Sequence, residues 1–413
     1  MSHDPATSSR PGALDTRKRD RLRILFCNYE YPPLGGGGGV VMRALARELA
    51  RRHEVTVLTS QALDLERESD DGGVRVLRAP VFFRKQMAVA NFPSMLAYLP
   101  SATLRALALR RSSGFDVINT HFVVPSGPVG QLLAKLFNAP NVLSVHGGDL
   151  FDPSKRSSPH RHAWLRGPIR YMLNAADAVV GQSRDTVRHV EEIYGVHRPV
   201  GLIPLGIDRP AKVAGSDRAQ LGIPDDAFVM LTIGRIVPRK SSVQLVEALA
   251  RCDRPRAHLV LVGDGPEADA VRAAAHAAGI AERVHLLGFV TEEQKSQALA
   301  CADIFVSSSQ HEGFGLVFLE AMAFALPVIC YDRGGQTDFL ATPETGHVVK
   351  LNDLEAFTRA LIDLHDDPVK RRAIGQHNLR AVEAYFIDRC AERYEAVFES
   401  ACARGSAGTA STG

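Results

Sequence analysis

Two carboxylates, Glu312 and Glu320, stand eight residues apart in Gln310-His311-Glu312-Gly313-Phe314-Gly315-Leu316-Val317-Phe318-Leu319-Glu320-Ala321. Acids spaced across a glycine-punctuated turn can accept hydrogen bonds from neighbouring hydroxyls. A second constellation is basic: Arg235, directly after Gly234, and Lys240. Arginine offers a planar fork and lysine a compact charge, so the pair suits the oxygens of a diphosphate. If that diphosphate departs in a reaction, fixed cations stabilise the charge growing on it. Hydroxyls and a diphosphate together describe a nucleotide-sugar.

The elements around these residues explain how they could converge. Ile304 to Ser309 reads as a buried strand with a small polar exit, and Leu316 to Phe324 as a helix. Strand, glycine loop and helix N-terminus leave unpaired N–H groups and the positive end of a helix dipole aimed at one spot. Gly313, Phe314, Gly315 and Leu316 lie at that spot, and Gly334-Gly335 offers further N–H donors, with Asp338 just beyond. The Phe228–Arg235 strand precedes Lys240, and another strand ends at Gly263. Upstream, Arg23 to Asn28 reads as a first buried parallel strand, five glycines follow (Gly35 to Gly39, with Gly37 and Gly38 central), and a helix is expected from Val40 to Arg52. With the strand at His53 to Thr59 this makes a βαβ unit, hence a parallel sheet. His121 and His146 each end a strand, where open α/β sheets bind ligands. Asp149 follows His146 closely and could orient it or meet an acceptor hydroxyl. The same alternation restarts after residue 207, so the expected class is α/β, with two doubly wound Rossmann-like domains facing across a cleft.

The 413 residues are too many for one ordinary core. The expected division is a loose tail over 1–20, a domain over 21–206 completed by a helix at 386–402, a second domain over 207–385, and a loose tail over 403–413. A linker is expected up to Ser216, and the basic stretch 151–170 reads as a loop over the acceptor side. Composition is globular, 45% apolar and 23% charged, with no apolar run long enough to span a bilayer. The first twenty residues lack the apolar core of a signal peptide. Six scattered cysteines fit free thiols in a reducing cytosol better than a disulfide or metal framework. Charge is uneven: residues 1–200 hold 27 Lys+Arg against 18 Asp+Glu, and residues 201–413 hold 22 against 28. A basic first half could be drawn to anionic lipid or a phosphorylated acceptor, although part of the excess lies in the tail. Residues 82–111 add an apolar stretch with basic flanks, which suits either a buried helix or a membrane interface.

The string Glu-Gly-Phe-Gly-Leu-x-x-x-Glu-Ala, with Gly234-Arg235-x4-Lys240 and His146-Gly-Gly-Asp, resembles retaining glycosyltransferases of the GT-B class, family 4, over about residues 22–402. The resemblance implies sugar transfer from a nucleotide diphosphate donor, UDP-sugar rather than GDP-sugar, to a hydroxyl acceptor. The acceptor is expected in polysaccharide or lipid-linked glycan assembly, with a small natural product as the alternative. It also implies attack on the face from which the diphosphate leaves, with the departing phosphate taking the acceptor's proton. Glu312 would then hold sugar hydroxyls, Glu320 ribose hydroxyls, Arg235 and Lys240 the diphosphate, and His146 the sugar or its attacking partner. The backbone at Phe289-Val290 would meet the base, and the Gly37-Gly38 loop would face the diphosphate and acceptor. His121 and Asp149 are assigned to the acceptor side. No cofactor, no metal and no nucleic acid is expected, and the place of action is the cytoplasm, with a possible peripheral post on the inner membrane face. The family often has Glu where Asp338 stands, which leaves its role open between ligand contact and helix cap. A nucleotide-sugar epimerase or a phosphorylase shares the architecture, but no cofactor lysine is identifiable and the Glu-x7-Glu string opposes the epimerase. A non-catalytic scaffold would have shed the charged residues that are all present here.

Overall fold

In the computed structural model the described residues are 21–82, 84, 92–110, 114–153, 155, 158–211 and 218–410. The expected tail at 1–20 and most of the expected linker, 212–216, lie outside them. The first sheet contains β1 (Arg23–Cys27), β2 (Glu54–Gln61), β3 (Glu68–Asp70), β4 (Val74–Pro80), β5 (Val117–His121), β6 (Asn141–Val145), β7 (Ala178–Gly181) and β8 (Gly201–Leu202), in the order β3-β4-β2-β1-β5-β6-β7-β8. All its pairs are parallel except β3–β4. The second sheet contains β9 (Phe228–Ile233), β10 (Ala257–Val262), β11 (Val284–Gly288), β12 (Ile304–Ser307), β13 (Val328–Tyr331) and β14 (Gly346–Val349), in the order β11-β10-β9-β12-β13-β14. Both sheets reverse direction beside their first strand, at β1/β5 and β9/β12. That reversal opens the crevice in which such sheets take ligands.

Strands buried on both faces read as largely apolar runs, as β1, β10 and β12 do, while β5 and β6 are buried throughout yet carry Asn119, Thr120, His121, Asn141 and Ser144. Helices cover each face. Gly37–Ala50 and the closing helix Ile387–Ala410 pack on one side of the first sheet through Met42, Leu45, Cys390, Tyr394 and Phe398. Phe92–Leu109 and Ser126–Phe137 pack on the other through Tyr98, Ala102, Val129 and Leu133, and Ala163–Ala175 joins through Ile169, Met172 and Leu173.

Three local expectations change, and one unassigned segment gains structure. The Gly37–Ala50 helix starts three residues early, so Gly37 and Gly38 form its first turn rather than a loop. A helix needs no side chain at its start when following residues pack, and Val41, Met42 and Leu45 do. The stretch 151–170 is no simple loop: a 3-10 turn at Pro159–Arg161 leads into the Ala163–Ala175 helix, whose Ile169, Met172 and Leu173 repeat at helical spacing. The closing helix runs to Ala410, so the loose tail expected from residue 403 is helical over most of its length. Glu68–Asp70 and Val74–Pro80, unassigned in the sequence reading, pair as a small hairpin.

The chain crosses between lobes twice, and the two crossings touch. Ile207 N–H donates to Tyr385 O at 3.0 Å, and Ile387 N–H donates to Ile207 O at 2.8 Å. Gly206 lies so close to the closing helix that a methyl on it would stand 2.8 Å from Ile387 Cα. All six cysteines are free thiols, and no helix among the described residues is long and apolar enough to cross a membrane.

Phe398 is fully buried between the closing helix and the first sheet. Replacing it with alanine should cost about 3–5 kcal/mol, read as an earlier urea midpoint at unchanged slope; a midpoint within error of wild type would show that the helix is not part of this core.

Candidate functional site

The Glu312 carboxylate is buried at 7% exposure on the loop after β12. Lys240 Nζ meets its Oε1, and Arg239 Nη1 meets its Oε2 at 3.3 Å. Burial alone would raise this acid's pKa, but the two cations and the Ser309 hydroxyl overcome that and hold it down at about 2. A carboxylate so held is a weak base and a poor nucleophile, yet its oxygens still accept hydrogen bonds from hydroxyls. The backbone around it is fixed by contact between two segments of the chain. Gly335 N–H donates to Glu312 O at 2.9 Å. Gly334 has φ +113°, and a methyl there would stand 1.9 Å from that same oxygen. Gly315, at φ +92°, is the N-cap of the Leu316–Ala323 helix and lends no side chain to capping, so first-turn N–H groups stay available.

Arg235 and Lys240 line one hollow with Gly234 and Ser307. No hydrogen bond or ion pair engages the Arg235 side chain among the described residues, and it is exposed. The hollow holds about 10 Å³, room for a single water. Seating a diphosphate there requires Lys240 to swing or the lobes to shift. Gly263 N–H donates to Gly288 O at 2.8 Å, which draws the Gly263 turn beside the Phe289-Val290 segment, where Phe289 is 94% exposed. Glu320 lies apart from Glu312. Its Oε1 meets Lys295 Nζ at 3.1 Å, while its Oε2 is buried and unpartnered among the described residues. Burial raises the Glu320 pKa, with Lys295 pulling the other way.

Across the cleft, His146 directly follows β6 and Gly313 faces it: a methyl on Gly313 would stand 3.3 Å from the His146 carbonyl. Phe122 stacks on the His146 ring at 4.2 Å, and Gly38 leaves room for Phe122, since a methyl there would meet that ring at 2.4 Å. His121 and Asp149, assigned to the acceptor side, stand behind His146 instead. Asp149 Oδ1 accepts from His146 N–H at 3.0 Å and its Oδ2 from Val123 N–H at 2.7 Å, so it braces backbone rather than the imidazole. Burial pushes the Asp149 pKa up to about 6 against those two donors.

The histidines form a directed chain. Asn119 Nδ2 donates to Val142 O at 3.0 Å, so Asn119 Oδ1 is the atom facing His121 Nε2 at 2.7 Å. His121 Nε2 must then carry a proton, which leaves Nδ1 to accept from His146 Nε2–H at 2.9 Å. His146 Nδ1 therefore presents a lone pair, and it is buried without a partner among the described residues. Burial holds both rings neutral, with His146 lowered to about 4 and His121 lowered well below its ordinary value.

Sequence reasoning missed Arg239, Asn119, Phe122 and Ser183. Arg239 had a signal, its adjacency to Lys240; the others needed the fold. Asp338 proves to be a cap, but for the opposite lobe: its Oδ2 accepts from Arg184 N–H at 2.7 Å, at the start of the Arg184–Tyr194 helix. Ser183 Oγ donates to Gly313 O at 3.2 Å, and His311 Nε2 approaches Asp185 at 3.4 Å. A larger cavity of about 900 Å³ opens between the lobes on the Arg239 side of Glu312, lined by Arg184, His189, His311 and Asp338 among others.

Comparisons with known proteins come to bear on this geometry. Residues 35–209 match the family described as Glycosyltransferase Family 4, and residues 214–380 match Glycosyl transferases group 1. The chain is 30% identical to a D-inositol 3-phosphate glycosyltransferase of Kineococcus radiotolerans, over 85% of this chain and 87% of that one. It is 28% identical to a GDP-mannose-dependent alpha-(1-6)-phosphatidylinositol monomannoside mannosyltransferase of Mycolicibacterium smegmatis, over 85% and 91%. A sucrose-phosphate synthase from Thermosynechococcus elongatus superposes with TM-score 0.80 at 25% identity, covering 93% of this chain and 100% of that one.

The His146 imidazole should titrate near pH 4 by NMR. Between its ordinary 6.5 and that value the unfolded chain binds a proton that the folded one refuses, so stability should fall as pH drops through this window, by roughly 3 kcal/mol in all. A midpoint near 6.5 would refute the buried placement. Asn119→Leu removes the acceptor for His121 Nε2–H and should change the His146 nitrogen shifts from a single Nε2–H tautomer to a mixture; unchanged shifts would break the chain of donors.

Proposed function

The chain belongs to glycosyltransferase family 4, and from that premise we propose that it moves a sugar with retention from a nucleotide diphosphate donor to a hydroxyl of a lipid-linked or polysaccharide acceptor. One observation carries the reading: a buried carboxylate, Glu312, shares Lys240 with the hollow in which Arg235 has no partner among the described residues. Lys240 has three N–H donors, so it can keep Glu312 and still take a phosphate oxygen. Arg235 supplies the fork for the other oxygens. Glu312 then accepts from sugar hydroxyls, and the unpartnered Glu320 Oε2 accepts from the ribose.

Both Glu312 oxygens are held by cations, Lys240 Nζ on Oε1 and Arg239 Nη1 on Oε2, which argues against a covalent sugar–enzyme intermediate on that residue. The bond from the anomeric carbon to the diphosphate oxygen lengthens while the acceptor oxygen approaches from the same face. The acceptor proton passes to the departing phosphate, and the nucleoside diphosphate leaves with its charge held by Arg235 and Lys240. His146 Nδ1 accepts a hydroxyl of the sugar or acceptor. No divalent metal is required in this scheme, and the donor is a UDP-sugar in preference to a GDP-sugar. Because the diphosphate hollow is small, the step includes a swing of Lys240 or movement of the lobes, and the latter would also exclude water.

Arg235→Ala and Lys240→Ala should each lower kcat by about 10²–10³-fold, while EDTA leaves the rate unchanged. A metal requirement would replace the cation scheme. UDP or GDP at a hundredfold excess over Kd should stabilise the wild type by about 2.7 kcal/mol, and the better stabiliser names the base. If no nucleoside diphosphate stabilises the protein and no nucleotide-sugar is hydrolysed or transferred, the proposal falls.

A further inference from the structure

Six of the twelve large apolar side chains exposed among the described residues lie on three helices of 18, 12 and 13 residues. They are Leu96, Leu104 and Leu107 on Phe92–Leu109, Leu132 on Ser126–Phe137, and Trp164 and Tyr171 on Ala163–Ala175. The helices pack side by side, the first on the second and the second on the third. Each turns its other side to the core, so these residues form the outer face of one layer. On the first helix Pro93, Leu96, Pro100, Leu104 and Leu107 recur at helical spacing along the exposed side. Leu104 is 69%, Trp164 65% and Tyr171 64% exposed; scattered singly such residues need no explanation, but gathered on one layer they mark an interaction surface.

Charge on the same helices has one sign. They carry Arg105, Lys135, Arg166 and Arg170 and no aspartate or glutamate. Arg105 pairs with Glu68 at 3.3 Å, whereas Lys135 and Arg170 have no ion-pair partner among the described residues and Arg166 bonds only the His160 carbonyl. We propose that this three-helix face docks on an anionic lipid bilayer. Leucines and prolines would enter the headgroup boundary, Trp164 and Tyr171 would sit at its level with their polar edges wet, and the cations would meet lipid phosphates. A second copy of the chain fits this face worse, because pairing it with itself would oppose three cations that lack carboxylate partners with three more.

The face lies beside the cleft. The second helix begins five residues after His121, and the Ala163–Ala175 helix follows the segment leaving His146. Docking would hold the acceptor side at the membrane surface, which deepens the proposed lipid-linked acceptor and gives it a route to the site. The binding itself does not depend on that reading.

The full-length protein can be sedimented with phosphatidylcholine vesicles, with and without phosphatidylglycerol, while fluorescence of the chain's single tryptophan, Trp164, is recorded. Binding should require phosphatidylglycerol, weaken with salt and shift the Trp164 emission to the blue. Arg166→Ala with Arg170→Ala should weaken partition about 25-fold, near fivefold for each cation lost, and Leu104→Asp with Leu107→Asp should abolish the blue shift. Both variants should keep wild-type melting and nucleoside diphosphate binding, since these side chains face solvent. Equal binding to both vesicles, no binding at low salt, or binding undiminished in the variants would overturn the proposal. So would a concentration-dependent dimer that Leu104→Asp dissolves. Loss of nucleotide binding with vesicle binding intact would sink the transferase scheme and leave this one standing.

Discussion

A single negative charge removed from water organises this molecule. Burying the Glu312 carboxylate is unfavourable unless cations and hydrogen bonds replace its hydration, and Lys240 and Arg239 from a different strand exit do so. To bring them there, the exits of β9 and β12 must lie side by side, which the reversal of strand order at that point provides. To bring Glu312 to the same place, its backbone must pass against Gly334, where a side chain has no room. The glycines, the sheet order and the basic pair are therefore parts of one solution. The same arrangement keeps the carboxylate ionised and occupied, suited to gripping hydroxyls rather than attacking carbon.

The opposite lobe contributes uncharged chemistry. His146 and His121 are driven neutral by burial, and Asn119 decides which nitrogen of each ring holds its hydrogen. A carbonyl that can only accept, that of Val142, sets the direction of the entire series. The first lobe thus offers an oriented lone pair at His146 Nδ1, while the second offers cations. A donor lying between them would meet acceptors on the sugar side and positive charge on the phosphate side.

Much of this was legible beforehand because it depends on local pattern. Largely apolar runs marked most of the strands, and Glu312, Arg235 and Lys240 fall at strand exits where the alternation alone would place them. Relations between distant segments were hidden. Asp338 looked like a possible ligand or cap, but that it caps Arg184 in the other lobe depends on how the lobes meet. His121 and Asp149 sit at the ends of the correct strands, yet whether a strand-end side chain points into the cleft or behind its neighbour follows from packing against Phe26, Tyr394 and Val123. The helical character of 163–175 was masked by its arginines and Pro168, which occupy the solvent side while three apolar residues secure the other.

The adjacent crossings at Gly206-Ile207 and Tyr385-Ile387 bear on mechanics. Two covalent ties at separate points would triangulate the lobes and freeze their spacing. Two ties hydrogen-bonded into one narrow ribbon act as a door's hinge pin, permitting rotation about their common line while resisting sliding and twist. The Arg235 hollow can widen under such a rotation without either sheet deforming, and the contacts across the lobes, Ser183 with Gly313 and Asp338 with Arg184, are those that such a rotation would have to part.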